Sequence, residues 1–458
     1  MIENDAFKLL LINLFHLNPD DIANIFCTTF NKMMVLLVTL ADKHQACPYC
    51  GFTAPKIKEY VTKEITHSAL TTQKCIIKYR ARRYKCPCCG KTYYEFNPFV
   101  FKSQKISILT VHNILKDLKD FNETFTSVAR RYHVSPTSVS TIFDNHVDIG
   151  RNPLPEIINF DEVYAFKSEK SKYVCVLLDF KKQIPVDVLP NRKKEYLLNY
   201  FQKIPLEERK KVKYACSDMY EVYRDVVHKV FPCSCMLLDY FHLSQDFHRK
   251  INEVRIKVMK GYKDDKASDE YYLLKKFNWL LFKNPEDEDK YGRLFDVERE
   301  RKYNSHFKSY MNYYDLRRKL LEINNDLTIC YSLKLELVDF YSKSTIDNAQ
   351  VNLEHLIRSC IDTNIEEMIA FSNNLINWKQ EIINSFTIVG TEYKVEADKG
   401  QVVVCNKKVN NAIIENRNKI IKCIKNNANG YTNWSRFRNR VMYVLDPNTT
   451  FSLEPREK

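Results

Sequence analysis

EIINFDEVYAF (156–166), SKYVCVLLDF (171–180) and QIPVDVLP (183–190) are three short apolar runs that follow one another closely. Their length and spacing predict an antiparallel meander of three strands. A helix is expected over about 193–203, a fourth strand in KVKYACSD (211–218), a second helix over 220–229 and a fifth strand in CSCMLLD (233–239). Carboxylates are set into these strands. Asp161 lies within the first, Asp218 ends the fourth and Asp239 ends the fifth. Asp179 also ends a strand, but the inferred order keeps it away from the others.

Three antiparallel strands, then helix, strand, helix and strand, match the ribonuclease H topology, a mixed α/β fold in which the first and fourth strands are neighbours. Asp161 and Asp218 are therefore expected to share divalent metal. Two-cation phosphoryl chemistry needs clustered oxygen ligands, and Mg²⁺ or Mn²⁺ suits carboxylates. A third acid must complete the set, and both Asp239 and Glu415 qualify. Glu415 sits in a helix expected from NNAIIENRNKIIKCIKNNANGY (410–431), where Asn411, Glu415, Lys419 and Lys422 share a face and Ile413, Ile420, Ile421 and Ile424 anchor it. Between 407 and 440 nine Lys or Arg accompany that one acid, a pattern suited to a DNA backbone. His242, three residues after Asp239, either touches phosphate or the third carboxylate, or packs and caps a helix.

The wider composition agrees with a polyanion partner. The 458 residues carry a formal charge of +14. Only 8 glycines are present, with no GxGxxG or GxxxxGK[ST] loop, so nucleotide binding has no support. The run MMVLLVTLA (33–41) is too short to span a bilayer, and the opening MIENDAFKLLLINLF lacks the basic flank of a secretory signal. A reducing cytoplasm is expected, where the paired cysteines among the 15 present point to metal rather than disulfide.

Two C-x₂-C knuckles, CPYCG (47–51) and CPCCGK (86–91), offer Cys47, Cys50, Cys86 and Cys89 as a four-thiolate zinc site. The 35 residues between them include KCIIKYRARRYKC (74–86), which reads as strand. Cys88 is a spare thiol. Lys78, Arg80, Arg82, Arg83, Lys85 and Lys91, interleaved with Tyr79, Tyr84, Tyr93 and Tyr94, give the module a basic, aromatic surface. FNETFTSVARRYHVSPTSVSTIFDNHV (121–147) then predicts a helix-turn-helix. Val128 and Ala129 bury one helix. Ser135 caps the second, Pro136 opens it, and Val139, Ile142 and Phe143 bury it. Thr137, Ser138, Ser140 and Thr141 are left to face DNA, with Arg130 and Arg131 on its backbone.

The blocks CPYCG, RRYKCPCCGKTYYE, INFDEVYAF, CSDMYEVY, LLDYFHL and NNAIIENRNKIIKCIKNNANGYTNWSRFRNRV together resemble the DDE transposases of the ISL-three group of insertion sequences. The resemblance implies an N-terminal helical segment (1–44), a zinc-binding module (45–100), a helix-turn-helix (101–150) and a ribonuclease H-like core in two parts (156–244 and 401–445). A mostly helical insertion (245–400) interrupts the core. It implies Asp161, Asp218 and Glu415 as catalytic Mg²⁺ or Mn²⁺ ligands, with Asp239 and His242 as an additional acid and phosphate contact. DNA contacts would include Arg80, Arg82, Arg83, Arg130, Arg131, Thr137, Ser138, Thr141, Lys419, Lys422, Arg436 and Arg438. The implied partner is double-stranded DNA, both terminal inverted repeats and target, held by a homo-oligomer in the bacterial cytoplasm and nucleoid. Asn411 and Asn416 stand where the family shows glycine. The alternative function is an inactive, sequence-specific DNA-binding derivative of a transposase.

Overall fold

The computed structural model describes residues 2–43, 46–68, 72–101, 104–166, 171–395 and 402–456. The first segment is helical over α1 (Ile2–Leu14) and a single 3-10 turn (Pro19–Asp21). The expectation of a helical 1–44 is corrected by a hairpin of β1 (Ile22–Phe30) and β2 (Met33–Leu40). Apolar and β-branched side chains fill both strands, and Asn31 and Lys32 each take positive φ (47° and 61°) in the two-residue turn, which suits a primed hairpin turn. β2 runs parallel to β4 (Cys75–Lys85), which pairs antiparallel with β3 (Lys56–Thr66) and β5 (Thr92–Tyr94). The cysteine module thus shares one five-stranded sheet with the hairpin, in the order β1-β2-β4-β3 with β5 beside β4.

A helical unit follows: α2 (Ile108–Asp117), α3 (Phe125–Arg131) and α4 (Pro136–His146). The Ser135 hydroxyl accepts from the Ser138 amide at 3.0 Å, and Pro136 opens α4 as its composition predicts. Val128, Ala129, Val139, Ile142 and Phe143 are buried together.

The second sheet comprises β6 (Ile157–Val163), β7 (Val174–Asp179), β8 (Pro185–Leu189), β9 (Tyr214–Ser217) and β10 (Cys235–Leu238), in the order β10-β9-β6-β7-β8. β6, β7 and β8 are antiparallel, while β9 and β10 run parallel to β6. This is the ribonuclease H-like order. α5 (Lys194–Gln202), α6 (Leu206–Arg209) and α7 (Glu221–Val230) lie between β8 and β10.

Alternation along the strands fills both faces. Ile158, Phe160, Cys175 and Leu177 pack against Leu197 and Phe201 of α5 and Tyr223 and Val226 of α7. The Phe160 ring lies 5.8 Å from Phe201 and 5.5 Å from Tyr223. Val163, Val174, Val176 and Leu178 face the other way.

After β10 comes α8 (Tyr240–Lys260), then α9 (Asp269–Lys276) and two short hairpins, β11 (Glu288–Asp289) with β12 (Gly292–Arg293) and β13 (Lys302–Asn304) with β14 (Ser309–Met311). α10 (Tyr313–Glu322), α11 (Asn325–Lys343), α12 (Ala349–Asp362), α13 (Glu366–Asn377) and α14 (Lys379–Asn384) complete a helical body with its own core. A ribbon of β15 (Ile388–Val395) and β16 (Val402–Lys408) leads back to the second sheet. The expected boundaries at 44–45 and 400–401 touch residues outside those described.

α15 (Ala412–Asn427) and α16 (Trp434–Leu445) cover the remaining face of the second sheet with Ile414, Ile421, Ile424, Phe437, Val441 and Met442. α16 also fastens the helical unit. Arg440 is almost wholly buried and donates to the carbonyls of Asp120 and Glu123 at 2.8 Å, and Tyr443 Oη donates to Leu115 O at 2.9 Å. Among the described residues no helix is long and apolar enough to cross a membrane.

Candidate active site and cysteine cluster

Strand register brings the three aspartates into line. Asn159 of β6 is opposite Cys216 of β9, so continuing two residues sets Asp161 beside Asp218. Leu238 of β10 is opposite Ser217, which sets Asp239 beside Asp218, and the Asp239 amide donates to Ser217 O at 3.1 Å. Because β9 and β10 run parallel to β6, all three carboxylates reach the same edge of the sheet. Asp179 lies at the other end of β7, where its carboxylate accepts from the Lys181 and Lys182 amides (2.9 and 3.0 Å) and closes the hairpin to β8.

Alternation sends Asn159 and Asp161 to the face covered by α15. Asn159 donates to Asn410 O (2.8 Å) and Asn411 Oδ1 (2.7 Å), seating the start of α15 on β6. Asn418, one turn beyond Glu415, donates to Asp161 Oδ2 at 2.8 Å. Glu415 thereby joins the cluster from a helix far along the chain. Ligand atoms of Asp239, His242 and Glu415 lie within 4.8 Å of one another, and His242 Nε2 is 3.8 Å from each carboxylate.

This is an expensive place to hold negative charge. Burial, with the repulsion of Asp218, Glu415 and Asp239, pushes the Asp161 carboxyl up to about 7, against the pull of His242. Burial also raises Asp218 and Asp239, while His242 and Arg192 pull Asp218 down. Asp218 Oδ1, Asp239 Oδ2 and His242 Nε2 are buried with no hydrogen-bond partner. Orphaned oxygens on crowded acids are what a hard divalent cation neutralises, so the donor set fits Mg²⁺ or Mn²⁺.

Asn159 and Asn418 escaped the sequence reading. The available signals were a polar residue in an apolar strand and an amide three positions after an acid. Nor do Asn411 and Asn416 distort the backbone. Asn411 has φ −95° at the start of α15 and Asn416 is helical, so neither position needs the freedom of glycine.

The cysteine cluster is built by the β3–β4 hairpin. Lys56 pairs with Lys85, so the 35-residue separation folds back and sets the knuckles side by side. In each, the glycine takes positive φ (75° at Gly51, 71° at Gly90) and its amide donates to the first cysteine's carbonyl at 2.9 Å. Cys47 and Cys89 sulfurs are 3.7 Å apart, and those of Cys50 and Cys86 3.5 Å. Four thiolates about 2.3 Å from one zinc would stand roughly 3.8 Å apart, so the group fits that ion. The Cys89 amide, the Cys50 thiol and the Cys88 amide lower the Cys86 thiol, while the contact with Cys86 raises Cys50, so the paired thiols share one proton between them. Cys88 is exposed and outside the group.

The basic residues divide into two sets. Arg82 is bound to Glu95 (2.8 Å) and the carbonyls of Leu40 and Ala41, and Arg83 to Glu59 (2.7 Å). Arg131 is held by Asp117 and Glu123, Arg436 by Asp144 (2.6 Å), and Arg438 by Asp187 (2.6 Å) and Ile149 O. These five are held in ion pairs within the fold. Tyr79 and Tyr84 are likewise buried rather than on the surface. Arg80, Arg130, Thr137, Thr141, Lys419 and Lys422 are exposed, and Ser138 is half-buried beside Ser135.

Comparison with known proteins bears on the family. A family model described as "Transposase", that of the ISL-three group of DDE transposases, matches residues 158–397, more than half of the chain. The match spans Asp161, Asp218 and Asp239 and ends before Glu415. The chain is 20% identical over 409 residues to a protein of Bordetella parapertussis named "Transposase for insertion sequence element IS1001", covering 89% of this chain and 90% of that one. A ribonuclease H-like sheet bearing aligned acids, with a family match across it, places this chain in the DDE transposase family of the ISL-three group.

Proposed function

We propose that the protein binds the terminal inverted repeats of an insertion sequence and catalyses divalent-metal-dependent DNA cleavage and strand transfer. The observation that carries this reading is the row of buried carboxylates on adjacent strand ends, joined by Glu415 from α15 and holding unpaired oxygens. Asp161, Asp218 and Glu415 would hold Mg²⁺ or Mn²⁺, with Asp239 beside them. When bound, the cations supply activation of the attacking hydroxyl and stabilisation of the leaving oxygen. Asn418 orients Asp161, and His242 stands where it can take a proton or meet a phosphate oxygen. Lys419 and Lys422, exposed farther along α15, would guide the backbone toward the acids.

The exposed Thr137 and Thr141, with Ser138 and Arg130, form the reading surface of the α3–α4 pair. Arg80 offers a cation on the cysteine-bearing sheet, whose four thiolates would hold zinc. A homo-oligomer would bring two ends and a target together. The unstrained backbone at Asn411 and Asn416 favours an active copy over an inactive DNA-binding derivative.

The test is Mg²⁺-dependent cleavage of a fragment carrying the element's end. Wild type should cut at the boundary, and Asp161→Ala and Glu415→Ala should bind the fragment without cutting. Binding without cleavage by all three proteins would replace this reading with the DNA-binding derivative. Equal cutting of unrelated DNA would remove the end specificity.

A further inference from the structure

The two edges of the N-terminal sheet are built in opposite ways. β3, at one edge, carries Lys56, Lys58, Glu59, Lys63 and Glu64, the charges by which edge strands resist pairing. β1, at the other, has no charged residue and no proline from Ile22 to Phe30. Among the described residues it pairs only with β2. Two large apolar side chains stand out on it, Phe26 at 55% and Phe30 at 65% exposed, among the uncharged Asn24, Thr28 and Thr29. Above the same strand, α1 turns Leu11, Ile12 and Phe15 into the core but leaves Phe7, Leu10 and Leu14 in solvent. Those three fall at i, i+3 and i+7, one continuous stripe.

We propose that β1 and the outer stripe of α1 form the surface through which two copies of this chain associate, β1 pairing antiparallel with β1 of the second copy. The five-stranded sheet would become a continuous sheet of ten. A second copy is the occupant that the chemistry selects. β1 itself carries none of the chain's excess positive charge, the nearest cations on this sheet face being Lys78, Arg80 and Arg82 on β4 two strands away, so the outward edge of β1 gives a polyanion nothing to pair with. A two-fold axis sets a charge-free strand against itself, satisfying its outward amides and carbonyls and covering the same apolar stripe twice.

The area is of the right order. With about 150–250 Å² available per aromatic side chain, Phe7, Phe26 and Phe30 at their exposures offer roughly 300 Å² together. Leu10, Leu14 and the strand backbone add to this, toward the roughly 800 Å² per partner of a stable interface. The proposal deepens the assembly suggested above by naming its surface. Its test uses no DNA, so its failure would leave the cleavage reading standing.

The experiment is sedimentation equilibrium of the full-length, zinc-loaded chain without DNA. Wild type should be dimeric. Phe26→Lys and Thr28→Lys, both at positions already exposed, should raise the dimer dissociation constant at least tenfold. Val351→Lys, at an equally exposed apolar site on α12, should leave it unchanged. Circular dichroism and zinc content identify a variant that has not folded. Because Thr28 is exposed and outside the apolar core cluster, its variant keeps the test decisive if Phe26→Lys misfolds. A wild type that stays monomeric up to its solubility limit overturns the proposal, as does association of folded β1 variants with wild-type affinity.

Discussion

Asp161→Asn should make the metal-free protein more stable at pH 8, although it removes a group placed at the centre of the chemistry. The Asp161 carboxyl rises from 3.8 to about 7 on folding. Folding therefore binds a proton between those values, and stability falls as pH rises through that window and stays low above it. The full penalty is roughly 4 kcal/mol, at about 1.36 kcal/mol per tenfold step. Neutralising Asp161 also relaxes its repulsion of Asp218 and Asp239, so the shares overlap. Asparagine keeps the shape and can still accept from Asn418. We expect a gain of about 2–4 kcal/mol at pH 8, shrinking toward nothing below pH 4. The assay is amide hydrogen exchange of peptides covering β6 and β9 in buffer free of divalent cations, which reads opening of this sheet without requiring the whole chain to unfold in one step. At one pH the variant's protected amides should exchange roughly 30- to 1000-fold more slowly, the same free energy expressed as a ratio. Added Mg²⁺ should slow exchange in wild type more than in the variant. If Asp161→Asn exchanges faster than wild type at pH 8 without metal, the carboxylates are not in mutual strain and the electrostatic account of the site fails.

Asn418→Ala should leave Asp161 Oδ2 without its donor and weaken Mn²⁺ binding about 10- to 100-fold by calorimetry, the usual cost of losing a residue that orients a ligand. Cys50→Ala should abolish the single bound zinc measured by mass spectrometry and remove exchange protection from β3 and β4, while Cys88→Ser retains both. Arg440→Met strands the carbonyls of Asp120 and Glu123. It should cost about 2–4 kcal/mol and expose residues 106–149 to limited proteolysis, with the second sheet still protected.

Local pattern made the second sheet readable in advance. Five apolar runs, each bounded by turn residues, became β6 to β10 with little shift, and Ser135-Pro136 announced α4 because a cap and a fixed φ act within one turn of chain. The knuckles were legible for the same reason, since each glycine turn is five residues long. The β1–β2 hairpin was missed. The run 33–41 reads only as too short for a membrane span and 1–44 as helical, whereas the positive-φ turn at Asn31-Lys32 lays two strands side by side.

Composition along the chain determined the mixed α/β class, the apolar strands carrying acids and the cysteine pairs, because those depend on periods of two residues and single turns. Only tertiary structure decided what met what. Strand order aligned Asp161, Asp218 and Asp239. The seating of α15 by Asn159 and Asn411 delivered Glu415 across more than two hundred residues of sequence. The arginines show the limit most plainly. Arg80 and Arg82 differ by two positions on one strand, yet one is exposed and the other is bound to Glu95, thirteen residues away. A cation's identity is local, but whether a buried carboxylate reaches it is settled by long-range packing.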